Sequence, residues 1–489
     1  MACLSALAVA FCFSRGWLLH YGDAEAHLDI ARRMVDSLTP GYDQVGTVWL
    51  PLPHWLMLPF VRVDAWWRSG LAGAIPAACC FVIGGSFLFA AVRRIFGTAA
   101  AFAATVLCAL NPNLLYIQST AMTEAVFFAC LTALLYFSVR FRETEGWPSV
   151  IGAGIAACAG TLTRYEGWFL IPFVAAWFLI AARRRRITVA CVFGVLAALG
   201  PLFWLGHNWW LSLDPLAFYR GPYSALTIQG GSSYPGKGDW RKAFLFYRTA
   251  AQLCAGLALT LLAAAGALAA LAKRAFWPLL LLALPGCLIL WTMHSGTVPI
   301  FVPSLWYGSY YNTRFGLASL PLLAVAAAGL VAVVPQRARP VAAVLVVLAG
   351  TIPWLVYPRP ENWIVWQEAN VNDAARRQAA REGADYLAPL YQRGEGIFTS
   401  FSAKTTPIYR QMGVPLRDTF TGDNGLPWDA AVKRPKLLLW QQWAVALPGD
   451  AVQAAVDRAG CYTLEKSIIV NGAPAILIYR RTGGNHGTP

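Results

Sequence analysis

The chain has 489 residues, 57% of them hydrophobic and only 13% charged. A soluble domain carries about a quarter charged residues, so this composition excludes a soluble globular protein and marks an integral membrane protein. The formal net charge of +15 does not imply nucleic acid as a partner. Arg and Lys sit in short clusters between apolar runs (Arg93 and Arg94, the arginines 183–186, Lys273 and Arg274, Arg337 and Arg339), which is the positive-inside pattern of a polytopic membrane protein. Ten of the 11 cysteines fall in apolar runs and only Cys461 in the tail, so no disulfide framework is expected.

Residues 2–20 form the first apolar run. Ala24-Glu25-Ala26 imitates a signal-peptide cleavage site, but no cationic segment precedes the run and Arg15 interrupts it. The run reads as a retained first helix. The stretch 22–53 follows directly and brings Asp23, Glu25, His27 and Asp29 together within seven residues. Leu28, Ala31, Val35 and Leu38 recur at helical spacing, which predicts an amphipathic helix lying on the bilayer with its acidic groups presented at the membrane surface. Asp23 has two compatible readings there, a helix N-cap and a catalytic carboxylate.

Further apolar runs follow at 69–92, 98–117, 121–139, 149–165, 167–182, 187–209, 246–272, 275–293, 309–334 and 340–357, giving about eleven spans. With the Arg/Lys clusters in the cytoplasm, the N-terminus is inside. The loops 21–68, 211–245 and 294–308, and the tail, are outside. Ionisable groups are nearly absent from the middle of the spans, which argues against an ion-coupled transporter. The turn 111–124 places Glu124 at the outer end of the fourth span. The tight outer turn LTRYEGW places Arg164, Tyr165 and Glu166 between the fifth and sixth.

The loop 211–245 carries Arg220 and Lys237 as candidate cations. Its 231–237 segment has the spacing of a phosphate loop, but Gly238 stands where Ser or Thr is needed and no strand leads in, so a nucleotide site is rejected. The next outer segment ends in Tyr310, Tyr311, Asn312 and Arg314, where an Arg among Tyr and Asn favours anion binding over snorkelling. Beyond 358 the chain alternates helix-like stretches (371–391, 450–459) with short apolar runs (397–399, 437–440, 475–479). This predicts a small α/β domain on the outer face, which binds or shields. The expected organisation is a transmembrane domain over 1–358 and an extracytoplasmic α/β domain over 359–489.

Gly22-Asp23-Ala24-Glu25, the TVWLPLPH run ending in His54, the MTE at Glu124 and YYNTRFGLASLPLL around Arg314 together resemble the GT-C superfamily of polyprenyl-phosphate-sugar-dependent glycosyltransferases. The protein O-mannosyltransferases and the lipid A aminoarabinose transferases are the nearest branches. The family has adjacent carboxylates in its first loop. Here Ala24 separates Asp23 from Glu25, and Asp23 fits the catalytic place better by its distance from the first span. The resemblance implies a GT-C-like helical membrane fold in a bacterial inner membrane, with the active site facing the periplasm. The implied donor is a polyprenyl-phosphate-linked sugar, the acceptor a protein, lipid or glycan, and membrane lipid a further partner. Asp23 would be the base, with Glu25, His54, Glu124, Arg164, Glu166, Arg220, Lys237, Tyr311 and Arg314 around the substrates. No cofactor is assigned, and a divalent metal is left open, for which His27, Glu25 and His54 could be ligands.

The chemistry suits these residue types. A carboxylate at the membrane surface can deprotonate an acceptor hydroxyl as it attacks the anomeric carbon, and outer-face arginines can neutralise the departing phosphate. A single displacement inverts the sugar. On this reading Asp23, Glu124, Glu166 and Arg314 line one cavity under the 211–245 loop. Helical phase turns Glu25 about 200° from Asp23, so Glu25→Gln should impair transfer less than Asp23→Asn. A lipid-linked saccharide flippase or polymerase, and a non-enzymatic envelope-assembly factor, are the competing classes.

Overall fold

The computed structural model describes residues 1–229, 231–400, 402 and 404–482; the end of the expected tail, 483–489, lies outside the described residues. The chain divides into two compact units. One comprises Met1–Arg15, Gly46–Pro53 and Ala74–Glu368; the other comprises Gly16–Val45, His54–Gly73 and Ala369–Pro489. The second unit thus takes in the loop segments 16–45 and 54–73 as well as the tail.

The first unit is helical. Among the described residues six helices are long and apolar enough to cross a membrane: Leu71–Phe96, Glu124–Thr144, Arg186–Ser212, Phe276–Ser295, Thr313–Val333 and Gln336–Val356. The bent pair Trp240–Ala255 and Leu257–Ala272 makes a seventh if counted as one span. The remaining expected spans do form helices, but Ala2–Ser14, Thr98–Ala109, Trp147–Thr161 and Glu166–Ala181 have 13, 12, 15 and 16 residues. At 1.5 Å per residue they extend about 18–24 Å, less than a hydrocarbon core of roughly 30 Å. The expected count of about eleven treated each apolar run as one full-length helix. Several runs instead break, as at Asn111-Pro112, where Asn111 caps a new short helix.

The outer faces of these helices leave aliphatic side chains uncovered, among them Ile180 and Ile187 at 73% exposure and Leu268 at 72%. Apolar faces repeated over several helices are what a lipid solvent selects, and the protein is an integral membrane protein. Between helices, small residues allow close approach. A Cβ on Gly329 would come within 2.6 Å of the Gly266 carbonyl oxygen, so Leu257–Ala272 and Leu320–Val333 pack nearly backbone to backbone.

The expected continuous span at 246–272 turns by 107° at Gly256. Gly256 has φ +87°, a conformation that side-chain-bearing residues rarely adopt. The turn removes the helical partner of the Cys254 carbonyl. Asn111 and Asn113 Nδ2 donate to it instead, at 2.9 and 3.0 Å, and the Cys254 thiol donates to the Thr313 carbonyl at 3.3 Å. A buried carbonyl left alone costs about 1–3 kcal/mol, so these two asparagines stabilise the bend.

The second unit contains a five-stranded sheet: β1 (Ile397–Thr399), β2 (Thr419–Phe420), β3 (Trp443–Ala446), β4 (Tyr462–Ile468) and β5 (Ile476–Arg481). The order is β2-β1-β3-β5-β4, with β2, β1 and β3 parallel and β3, β5 and β4 antiparallel. Alternation sorts the side chains. Ile397, Trp443, Val445 and Ile478 pack with Ala380 and Leu387 of the helix Ile364–Leu387. Phe398, Ala444, Ala446 and Tyr479 pack with Val452 and Val456 of the helix Ala451–Ala459. Both faces are covered, as parallel strands require. The strand expected at 437–440 lies elsewhere. Pro435–Leu438 is a short helix with Leu437 68% exposed, and the strand is the alternating run Trp443–Ala446.

The helix expected to lie on the bilayer is Gly22–Arg33, within the second unit. It stops before Val35 and Leu38, and its charged side is buried as deeply as its apolar one. Glu25, Asp29, Arg32 and Arg33 are 1–7% exposed. Ion pairs within the unit, not headgroups, cover that face.

Candidate active site

In the first unit three helix starts converge. Glu124 opens Glu124–Thr144 and Glu166 opens Glu166–Ala181, where the positive ends of the helix dipoles favour carboxylates. Arg164 sits in the turn before the second of these. Its Nη2 donates to Glu166 Oε1 at 2.6 Å, and its Nη1 donates to Glu124 Oε1 at 3.1 Å and to Thr123 Oγ1 at 3.0 Å. Arg314, on the 3-10 turn Thr313–Ser319, lies 3.4 Å from Glu124 Oε1 and 3.6 Å from Glu368 Oε1. Both guanidinium groups stand over the Phe315 ring, at 5.2 and 5.4 Å from its centre.

A carboxylate that the sequence reading missed, Glu368, fixes the Arg314 segment. Its Oε1 accepts from the Asn312 N–H at 2.9 Å, and its Oε2 accepts from the Thr313 N–H at 2.6 Å and from the Thr313 hydroxyl. Asn312 adopts the left-handed conformation, φ 54°, which Asn tolerates better than most residues. Burial raises the Glu368 carboxyl above its usual range, opposed by Arg314 and these hydrogen bonds. The available signal was a lone carboxylate right after the aromatic run at 363–366, past the last span.

The cluster borders a narrow cavity of about 40 Å³, whose other walls include Leu114, Phe127, Phe128, Leu131 and Pro321. Glu124 Oε2 is buried there without a hydrogen-bond partner among the described residues. The arrangement pairs one buried and one half-buried cation and an unsatisfied acceptor with an apolar wall. It suits a ligand with an anionic head, hydroxyls and a hydrocarbon portion.

Four expected site residues, Glu124, Arg164, Glu166 and Arg314, therefore come together. Arg220 and Lys237 line no part of this cavity. Arg220 is paired with Asp214 at 2.7 Å and its side chain is 59% exposed, while Lys237 Nζ donates to the Ser232 carbonyl at 3.1 Å. Tyr311 pairs its backbone with Phe301, and its hydroxyl accepts from Gln229 Nε2 at 3.1 Å.

The remaining expected residues belong to the second unit. Glu25 is 2% exposed and held between Arg376 and Arg410. Asp29 accepts from Trp67 Nε1 at 2.9 Å, and burial pushes its carboxyl up to about 7 although the Arg410 charge opposes this. Asp23 is half-buried in the first turn and is not the helix cap. The cap is Tyr21, and the Gly22 N–H donates to Asp373 Oδ2 at 3.0 Å. His54, fully buried, contacts His27 ring to ring, Nε2 to Nδ1 at 2.9 Å. With Glu25 held by two arginines, His27, Glu25 and His54 do not form a three-ligand metal site. Among the described residues no group of three or more His, Cys, Asp or Glu is placed to hold a metal ion.

Comparisons with known proteins bear on this geometry. Residues 50–210, which include His54, Glu124, Arg164 and Glu166, match the dolichyl-phosphate-mannose-protein mannosyltransferase family. No curated protein matches the chain in sequence. Among solved structures, ArnT from Cupriavidus metallidurans bound to undecaprenyl phosphate is similar at 13% identity. The match covers 97% of each chain with a TM-score of 0.59. The same protein in the apo state matches at 14% identity and TM-score 0.55, again over 97% of each chain. At such identity the structural likeness speaks to the fold, and the family match adds the sequence. Together they identify the chain as a membrane glycosyltransferase of the GT-C superfamily.

Proposed function

We propose that the protein moves a sugar from a polyprenyl-phosphate-linked donor to an acceptor at the outer face of a bacterial inner membrane, inverting the anomeric centre. The observation that carries this reading is the Arg164–Glu124–Arg314 cluster, in which Arg314 is buried and Arg164 and Glu124 are half-buried, beside an apolar-walled cavity. A prenyl phosphate ester presents the matching pair of features, a hydrocarbon chain and an anion. The similar ArnT structure holds undecaprenyl phosphate, which supports a donor of this class. The periplasmic orientation rests on the Arg/Lys clusters between the apolar runs.

In this mechanism Asp23 takes the acceptor proton as its oxygen attacks the anomeric carbon. Arg164 and Arg314 neutralise charge that grows on the phosphate as the bond to the sugar breaks, so no general acid is needed. Glu124 accepts a sugar hydroxyl through Oε2, and Glu166 holds Arg164 in place. Apolar cavity walls exclude water, which strengthens the charge interactions of Arg164, Arg314 and Glu124.

The test is transfer of labelled sugar from membrane lipid by purified protein, with the melting temperature of each variant recorded. Asp23→Asn should lower transfer by roughly 10²–10⁴ while donor binding persists. Arg314→Ala should raise the donor KM, with Arg314→Lys intermediate because it keeps the charge and loses the fork. Normal transfer by both Asp23→Asn and Arg314→Ala at unchanged stability would remove this reading.

A further inference from the structure

A polar cleft in the second unit belongs to none of the machinery above. Arg32 and Trp67 line its interior, and the exposed Arg68, Arg393 and Arg417 stand around it; its volume is about 320 Å³. Asp64 and Asp418 also line it, so its formal charge balance is four positive against two negative. A second hollow of about 230 Å³ shares Arg417 and Asp418 as a wall and continues to Gln441, Phe420 and Trp440. The two therefore adjoin at Arg417 and Asp418, and together they are taken as one groove.

Three features of the groove call for a ligand. Arg417 has an ion pair with Asp36 at 3.6 Å and is still 58% exposed, so most of its guanidinium faces solvent. Arg393 is exposed and has no ion pair or hydrogen bond among the described residues. Trp440 is 69% exposed, a large apolar ring left open to water beside polar groups. Arginines offer paired donors to carboxylate or phosphate, Asp418 and Gln441 offer acceptors for hydroxyls, and an open indole stacks on the face of a ring. A polyanion without hydroxyl rings would meet the repulsion of Asp64 and Asp418 and leave Trp440 unused.

We propose that this groove is a binding site for an anionic saccharide, with the charged group on Arg393 and Arg417 and a neighbouring sugar ring on Trp440. The site is separate from sugar transfer and stands or falls independently of the proposed reaction. Arg32 supports the interior: it is 4% exposed, donates to Asp36, Asp64 and the Val61 carbonyl, and stacks over Trp67 at 4.8 Å.

The experiment titrates the full-length protein in detergent with four probes: tetragalacturonate, maltotetraose, inorganic phosphate and a tetraglutamate peptide. Tetragalacturonate should bind at least tenfold more tightly than the other three. The double variant Arg393→Ala/Arg417→Ala should weaken it tenfold or more. Trp440→Ala should weaken tetragalacturonate and leave inorganic phosphate unchanged. All three side chains are exposed, and an unchanged melting temperature verifies folding. Equal binding of tetraglutamate would make the groove a peptide site, and equal binding of inorganic phosphate a plain anion site. Either outcome overturns the proposal, as does wild-type tetragalacturonate binding by the double arginine variant.

Discussion

At the scale of single residues, burial separates carboxylates that look alike in sequence. Asp23, Glu25 and Asp29 share one helix, yet Glu25 is spent on two arginines, Asp29 is sealed against Trp67, and only Asp23 is half-buried. Glu25→Gln is therefore a stability variant. It leaves the buried Arg410 without its carboxylate and Arg376 with Asp373 alone, at a cost of about 3–5 kcal/mol, and should lower the melting temperature well below that of Asp23→Asn. Reduced transfer by Glu25→Gln with a normal melting temperature would contradict this. Asp29 gives a pH prediction. Its carboxyl releases a proton at about 7 when folded against 3.8 in the unfolded chain, so between these values the folded state holds the extra proton. Stability contributed by this group is fully present below 3.8 and is lost as pH rises towards 7, by about 4 kcal/mol at 1.4 kcal/mol per unit. Asp29→Asn keeps the acceptor for Trp67 and cannot ionise. It should flatten the fall in melting temperature between pH 4 and 7, as followed by tryptophan fluorescence; an unchanged slope would remove Asp29 as the cause.

At the scale of elements, the break at Gly256 matters because it fastens neighbours to the site. Asn113 donates to the freed Cys254 carbonyl at 3.0 Å, while its Oδ1 accepts from the Val365 N–H at 3.0 Å. It thus links the bend to the start of the helix that carries Glu368, which in turn holds Thr313 beside Arg314. Asn113→Ala removes an acceptor from the Val365 N–H and takes one of two donors from the Cys254 carbonyl, which should cost about 1–3 kcal/mol. Because Arg314 depends on the same contacts, the donor KM should rise as well. A lower melting temperature with an unchanged KM would show that the bend does not position Arg314. The helix ends of this cluster were legible from the sequence, since Glu124, Arg164 and Glu166 flank long apolar runs. The bend was not, because hydropathy at 246–272 is continuous across Gly256 and a glycine inside an apolar run carries no mark of a positive φ.

At the scale of the whole molecule, the apolar helix faces and the charge clusters make a statement about orientation. Arg and Lys at 93–94, 183–186, 273–274 and 337–339 fall between apolar helices, and cytoplasmic loops retain such charges. A reporter fused after Pro489 should be active only when the tail is outside, and one fused ahead of Met1 only in the cytoplasm. A tail reporter active in the cytoplasm would invert the orientation and with it the outer-face reading of the site.

The sequence by itself determined the membrane class and the positions of the outer-end charges, and the resemblance to the GT-C superfamily supplied the reaction family. Composition is a sum over residues, and the placement of acids and arginines at the ends of apolar runs is local, so both survive without coordinates. It also supplied four members of the cluster, because each stands beside its own helix start. Tertiary structure alone decided which charges are free to act. Glu25 meets Arg376 and Arg410, and Thr313 meets Glu368, across separations of 55 to 385 residues. It likewise assigned 16–45 and 54–73 to the unit that contains the sheet. Periodicity reports which face of an element is apolar. It does not report which distant side chain will neutralise a buried charge, since that depends on how the chain folds back on itself.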